Sequence, residues 1–285
     1  MAVTKGVPPT WTCPTCAKVV ATSYCPECGE RPVRPGDLTL QGLLRQLLGA
    51  ISSIDGRIIR SLRTLVSRPG ALTVAWVQGP RKPFVGPIQL FLLANVVFVA
   101  AQSLTGMNVF SSTLESHLHH QDWRDLAQRL VARHLESTHV TLEAYAPVFN
   151  RAVALHAKSL VIVMAIPFAI LLPILFFRNR RPFVVHVVFA VHVYSFILLL
   201  YCAALAVSAA DLLRSGAGLD SPRLDTILTV VILAAITAYL YAAIGRVFGA
   251  AGATRISTSL VLAVAILAIA LAYRFGLLLL TLYVT

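Results

Sequence analysis

Four cysteines stand in two pairs near the start of the chain, Cys13-Pro-Thr-Cys16 and, eight residues on, Cys25-Pro-Glu-Cys28-Gly29. Each C-x-x-C pair offers two thiolates from one turn, and two such pairs complete a tetrahedral sulfur set. Zinc takes that geometry without redox chemistry. Cys13, Cys16, Cys25 and Cys28 are therefore the expected ligands of one structural zinc. An iron site and a redox dithiol are the alternatives for this spacing. A catalytic zinc is not expected, because four protein ligands leave no open position. A segment this short cannot fold on an apolar core, so metal binding must supply the folding energy. The fifth cysteine, Cys202, lies in an apolar run and reads as a packing residue.

Histidine forms the second pattern. His117-Leu-His119-His120-Gln-Asp122 resembles a loose metal-binding tract. The segment from Thr113 to Val140 also has helical spacing, with Leu114, Leu118, Leu126, Leu130 and Leu135 as its apolar set. A solvated amphipathic helix whose polar face carries histidine is the simpler reading, since imidazoles without fixed geometry say little about a metal.

Polar residues inside long apolar stretches form the third class: Asn95, His186, His192 and Ser195, with Arg274 near the C-terminal end. Ionisable groups at membrane depth are costly and face a bundle interior or a wet cavity. His186 and His192 lie about 9 Å apart along a helix and about 120° apart around it, so they do not share one ligand. Ser195 follows His192 by one turn, on the same face. Two readings stay open for His192: an interhelical hydrogen bond, or the lining of a path whose protonation is used. Arg274 is expected to reach outer headgroups. The sequence holds no nucleophile elbow, phosphate loop or zinc-protease helix. No enzymatic activity is therefore expected.

The elements that carry these residues are set by composition. Of the 285 residues, 57% are hydrophobic and 13% charged, against about 45–50% and about 25% in a soluble domain. Those proportions exclude a soluble globule, a disordered chain, a coiled coil and a secreted disulfide scaffold. Five apolar stretches, at 84–104, 159–177, 183–208, 226–245 and 257–283, come near or exceed the ~20 residues a crossing helix needs. Pro167 and Pro173 predict a kink or break in the second. Residues 1–37 form the ribbon and its Pro/Gly linker, and 84–285 the membrane domain with an outer loop at 105–158. Between them, 38–83 is an amphipathic segment with Leu or Ile at steps of three and four from Leu40 to Leu65. It lies either on the membrane surface or on the protein's own core.

Charge orients the bundle. The segment before the first span and the two short loops after spans two and four hold sixteen Lys+Arg and four acids, a surplus equal to the whole net charge of +12. The positive-inside rule places these segments, and the N-terminus, in the cytoplasm. Residues up to Trp11 carry no apolar region of the signal-peptide kind, which agrees. The same charge favours anionic lipid headgroups as partners, with nucleic acid the weaker reading.

Several of these residues also carry a resemblance. The cysteine pairs, Leu62-Arg63-Thr64-Leu65, Arg68-Pro69-Gly70, Gly79-Pro80-Arg81-Lys82, Pro87, the run from His186 to Phe196, and Arg246-Val-Phe248-Gly249 resemble the bacterial domain-of-unknown-function family 3667. That resemblance covers most of the chain to about Arg255 and implies a bacterial origin and a zinc ribbon joined to several membrane spans. It implies no activity.

The sequence thus predicts an all-α integral membrane protein of about five spans in the bacterial inner membrane, with a cytoplasmic zinc ribbon. The expected role is a transport or channel component, alone or as an oligomer. The alternative is a membrane-anchored regulator or scaffold that docks a cytoplasmic protein through the ribbon.

Overall fold

A computed structural model describes residues 10–33, 39, 56–214, 216, 218 and 221–285. The expected amphipathic run from Leu40 to Asp55 lies outside these residues. The protein is an all-α membrane protein with one small β hairpin at its start, β1 (Trp11–Thr12) paired antiparallel to β2 (Val19–Val20).

Two short helices come next, α1 (Arg57–Ser67) and α2 (Ala71–Gln78). The first crossing helix is α3 (Pro87–Thr105). Pro87 sits at its first position, where the missing N–H has no helical partner to lose. On the far side lie α4 (Leu114–His119), α5 (Arg124–Thr138) and α6 (Leu142–Ser159). A 3-10 turn (Val161–Met164) leads into α7 (Ala165–Leu175). Three long helices complete the bundle: α8 (Phe183–Leu213), α9 (Pro222–Phe248) and α10 (Gly252–Val284).

Four of these, α3, α8, α9 and α10, are long and apolar enough to cross a membrane. The pair Leu142–Lys158 and Val161–Leu175, bent by 61°, makes a fifth if it counts as one broken span. The expected break is present but falls at Leu160, before both prolines. Pro167 occupies the first turn of α7, where its lost donor has no partner to miss.

Helix α8 is the axis. Within its most apolar window 72% of residues are buried, against 22–33% for the other three crossing helices. Those three present Val96, Val97, Val230, Val231, Val264 and Leu267 outward. Such a continuous apolar surface is a liability in water and is what lipid solvates.

Residues 105–158, expected as the outer connection between spans with a helix inside it, carry three helices. Three details differ from expectation. The helix expected over Thr113–Val140 is two helices broken at residues 120–123. On α5, Ala127 and Val131 face the core while Leu126 is exposed, so the buried face is rotated from the expected leucine stripe. Finally, the segment 71–78 is a short helix packed into the bundle, with Leu72, Thr73 and Trp76 buried. Sequence periodicity hid it because eight residues are too few to show a stripe.

Candidate metal centre and the cavity beneath it

The two cysteine pairs fold into two matching turns. In the first, Ala17 N–H donates to Cys13 O and Cys13 N–H to Lys18 O, both at 2.8 Å. In the second, Gly29 N–H donates to Cys25 O at 2.8 Å and Cys25 N–H to Glu30 O at 2.7 Å. The residue after each pair takes a left-handed conformation, Ala17 at φ 58° and Gly29 at φ 68°. The hairpin joins the turns, and an exposed Lys18–Glu27 ion pair spans them.

The four sulfurs converge within 4.8 Å of one another. Neighbouring separations are 3.4 Å for Cys13–Cys28, 3.5 Å for Cys16–Cys25 and 3.9 Å for Cys16–Cys28. A tetrahedral ion with metal–sulfur bonds near 2.3 Å needs sulfurs about 3.8 Å apart. The set can therefore hold a metal ion, and it is the only cluster of three or more such ligands among the described residues. The Cys28 and Glu27 N–H groups bring the Cys25 thiol down to about 7. At Cys28 the Glu30 N–H favours the thiolate, but burial and the neighbouring sulfurs outweigh it and push the thiol up to about 12. Thiolates this close repel one another, and a bound cation removes that conflict.

The ribbon is docked on the membrane domain through Glu30, which is 4% exposed. Its Oε2 accepts from Arg81 N–H at 3.1 Å, Lys82 N–H at 3.0 Å and the Thr15 hydroxyl at 3.0 Å. The turn that presents those amides begins at Gly79, with φ +116°. A Cβ there would meet Val33 at 3.1 Å and Pro14 at 3.3 Å, so only glycine lets the ribbon sit this close. Arg81 lies over the Trp76 ring at 4.7 Å and donates from Nε to Trp76 O at 2.8 Å.

Between ribbon and bundle lies a cavity of about 390 Å³. Its walls include Glu30, Arg57, Trp76, Arg81, Lys82 and Gln89, and its floor is His192. The imidazole is 4% exposed, and its Nδ1 is bonded to the Thr73 hydroxyl at 2.9 Å. Helix α2 thus reaches the axial helix through a buried polar pair. A close approach on its other side allows this: Gly70, at φ +79°, would place a Cβ 2.9 Å from Ala243 O of α9. Arg246 of α9 donates to Pro69 O at the same corner.

The other expected intramembrane residues do not join His192. Ser195 is buried and bonds back to Val191 O at 2.8 Å. His186 stacks on Phe248 at 5.4 Å, and neither ring nitrogen has a hydrogen-bond partner among the described residues. Asn95 is half-buried on α3 and lies away from the cavity lining.

The outer histidines are not brought together as a ligand set. His117 is fully buried and accepts from the Trp123 indole at 3.1 Å, while His119, His120 and Asp122 are exposed. Burial, aided by the Arg274 charge, brings His117 down to about 4, so it is neutral at pH 7. Arg274 does not extend outward. It donates to Val109 O at 2.9 Å and lines a second cavity of about 430 Å³ with Tyr201 and Asp225.

Glu30, Thr73 and Trp76 escaped the sequence reading as site residues, and Arg81 and Lys82 registered there only as charge and as part of the Gly79–Lys82 motif. The one available signal was the Gly79–Lys82 motif, whose glycine and basic pair mark a turn with a purpose.

A family model described as "Protein of unknown function (DUF3667)" matches residues 55–99. The matched part covers α1, α2, the Gly79–Lys82 turn and most of α3, the elements that wall the cavity and receive Glu30. No curated protein and no solved structure matches the chain.

Proposed function

We propose that this protein is a transport or channel component of the bacterial inner membrane, with a cytoplasmic N-terminus and a structural zinc ribbon. The observation that carries the reading is the placement of the two cavities on one axial helix. His192 floors the ribbon-side cavity and Tyr201 lines the other. The two positions are nine steps apart on α8, about 14 Å of helix. Ile197 and Leu198, both buried, plug the interval. Two openings on opposite ends of a thin, packed barrier suit a solute that crosses by a shift of α8 against its neighbours. Zinc is the metal proposed for the four thiolates, where it would hold the ribbon's fold without an open coordination site. No catalytic step is assigned.

The test is flux of a panel of small solutes in liposomes holding the purified protein. The reading expects uptake of at least one solute, with loss in His192→Leu. Folded protein that passes none of the panel would overturn it.

A scaffold role is favoured by one feature, the exposed Val19 (75%) and Tyr24 (58%) on the ribbon. Val19→Glu should then abolish co-purification of a cytoplasmic partner while flux is unchanged.

A further inference from the structure

We propose that the cavity between ribbon and bundle binds a terminal phosphate group, presented by a lipid headgroup or by a free phosphate. This deepens the transport reading by naming the chemistry of the cavity that serves it.

Charge is the first argument. Arg31, Arg57, Arg81 and Lys82 line the cavity, and Glu30 is the only acid among the described residues of its lining. The Glu30 carboxylate is already engaged by two amides and the Thr15 hydroxyl. The surplus survives any pairing within the N-terminal segment. Residues 1–83 contain only three other acids, Glu27, Asp37 and Asp55, and Glu27 is paired with Lys18. The remaining two cannot offset four basic side chains. An anion is therefore the fitting occupant.

Geometry narrows the class. The basic groups come from three separate places: the ribbon, α1 and the turn before α3. They converge on a volume of about 390 Å³, within the usual range for small-molecule sites. Arginine matches the oxygens of phosphate in a fork that a simple halide cannot use. At the floor, the Thr73 hydroxyl shares a hydrogen bond with Nδ1 of His192, whose ring lines the cavity. In the tautomer in which the Thr73 hydroxyl donates to Nδ1, Nε2 carries the hydrogen and is a neutral donor for a phosphate oxygen. Gly86 and Pro87, where α3 begins, lie on the same wall. The N-terminal end of a crossing helix adds partial positive charge there, and the start of a span is the depth of lipid phosphates. Trp76 and Tyr24 add flat walls for the organic part of an ester.

The experiment uses the full chain in nanodiscs. One arm titrates inorganic phosphate in phosphatidylcholine discs by equilibrium dialysis. The other counts phosphatidic acid retained from mixed discs by native mass spectrometry. Phosphate binding in the first arm identifies a free anion, and retention in the second alone identifies a lipid headgroup. Arg57→Gln with Lys82→Gln should weaken the observed binding by about tenfold or more. Arg133→Gln, on α5 at the opposite side, should leave it unchanged. If the double variant fails to fold, Lys82→Gln alone reads the same loss, since Lys82 is exposed. The proposal is overturned if neither probe binds the parent, or if a folded double variant binds as tightly. Because the readout is equilibrium binding, failure of solute flux leaves it standing, and its own failure leaves flux untouched.

Discussion

Glu30→Gln tests whether the ribbon is held on the membrane domain by a single carboxylate. The side chain keeps its shape and loses its charge. Its Oε2 accepts two amides from the membrane domain, Arg81 at 3.1 Å and Lys82 at 3.0 Å. A hydrogen bond to a charged acceptor exceeds a neutral one by about 1 kcal/mol. Two such bonds give about 2 kcal/mol, or about thirtyfold in the ratio of docked to undocked ribbon. Hydrogen exchange measured by mass spectrometry across residues 76–90 reads this directly, because the two amides are themselves the reporters. Their exchange should quicken by up to about thirtyfold if undocking is the route by which they open. Metal content should not change, since the bond from Cys25 N–H to residue 30 uses the backbone oxygen. Glu30→Ala should act more strongly, leaving both amides without an acceptor, at about 1–3 kcal/mol each. Unchanged protection of Arg81 and Lys82 in Glu30→Gln would refute the docking argument.

Three further outcomes are expected. Elemental analysis should find about one zinc per chain, and Cys16→Ser with Cys28→Ser should remove it, because the tetrahedral set is then incomplete. Gly70→Ala should lower the melting temperature, with a loss of about 2–4 kcal/mol from left-handed strain and the contact with Ala243 O; a melting temperature equal to the parent's would contradict the close approach of α2 to α9. His117, held at about 4 when folded, takes up a proton near 6.5 when unfolded, so the unfolded state binds more protons between those values. Stability should be complete above pH 6.5, fall as pH drops, and level off below about 4, a loss of about 3 kcal/mol at most. His117→Gln should flatten that dependence, and an unaltered pH profile would remove His117 as its source.

Much of this protein was legible without a fold. Four of the five apolar stretches named helices long enough to cross, to within about five residues at each end, because a bilayer demands length and hydropathy that are local properties of a chain; the second, 159–177, took in only the later half of a bent pair that begins at Leu142. The cysteine spacing picked out the four thiols that converge, for the same reason: a C-x-x-C turn is closed by its own backbone. Tertiary structure alone decided the rest. That α8 is the axis, that Glu30 reaches Arg81 across 51 residues, and that Thr73 meets His192 across 119 are facts of long-range packing. No periodicity records them. His192 and His186 share a helix and a residue type, yet one floors a cavity while the other stacks on Phe248. The neighbours that differ come from α2 and α9, segments distant in sequence, and it is their packing that separates the two environments.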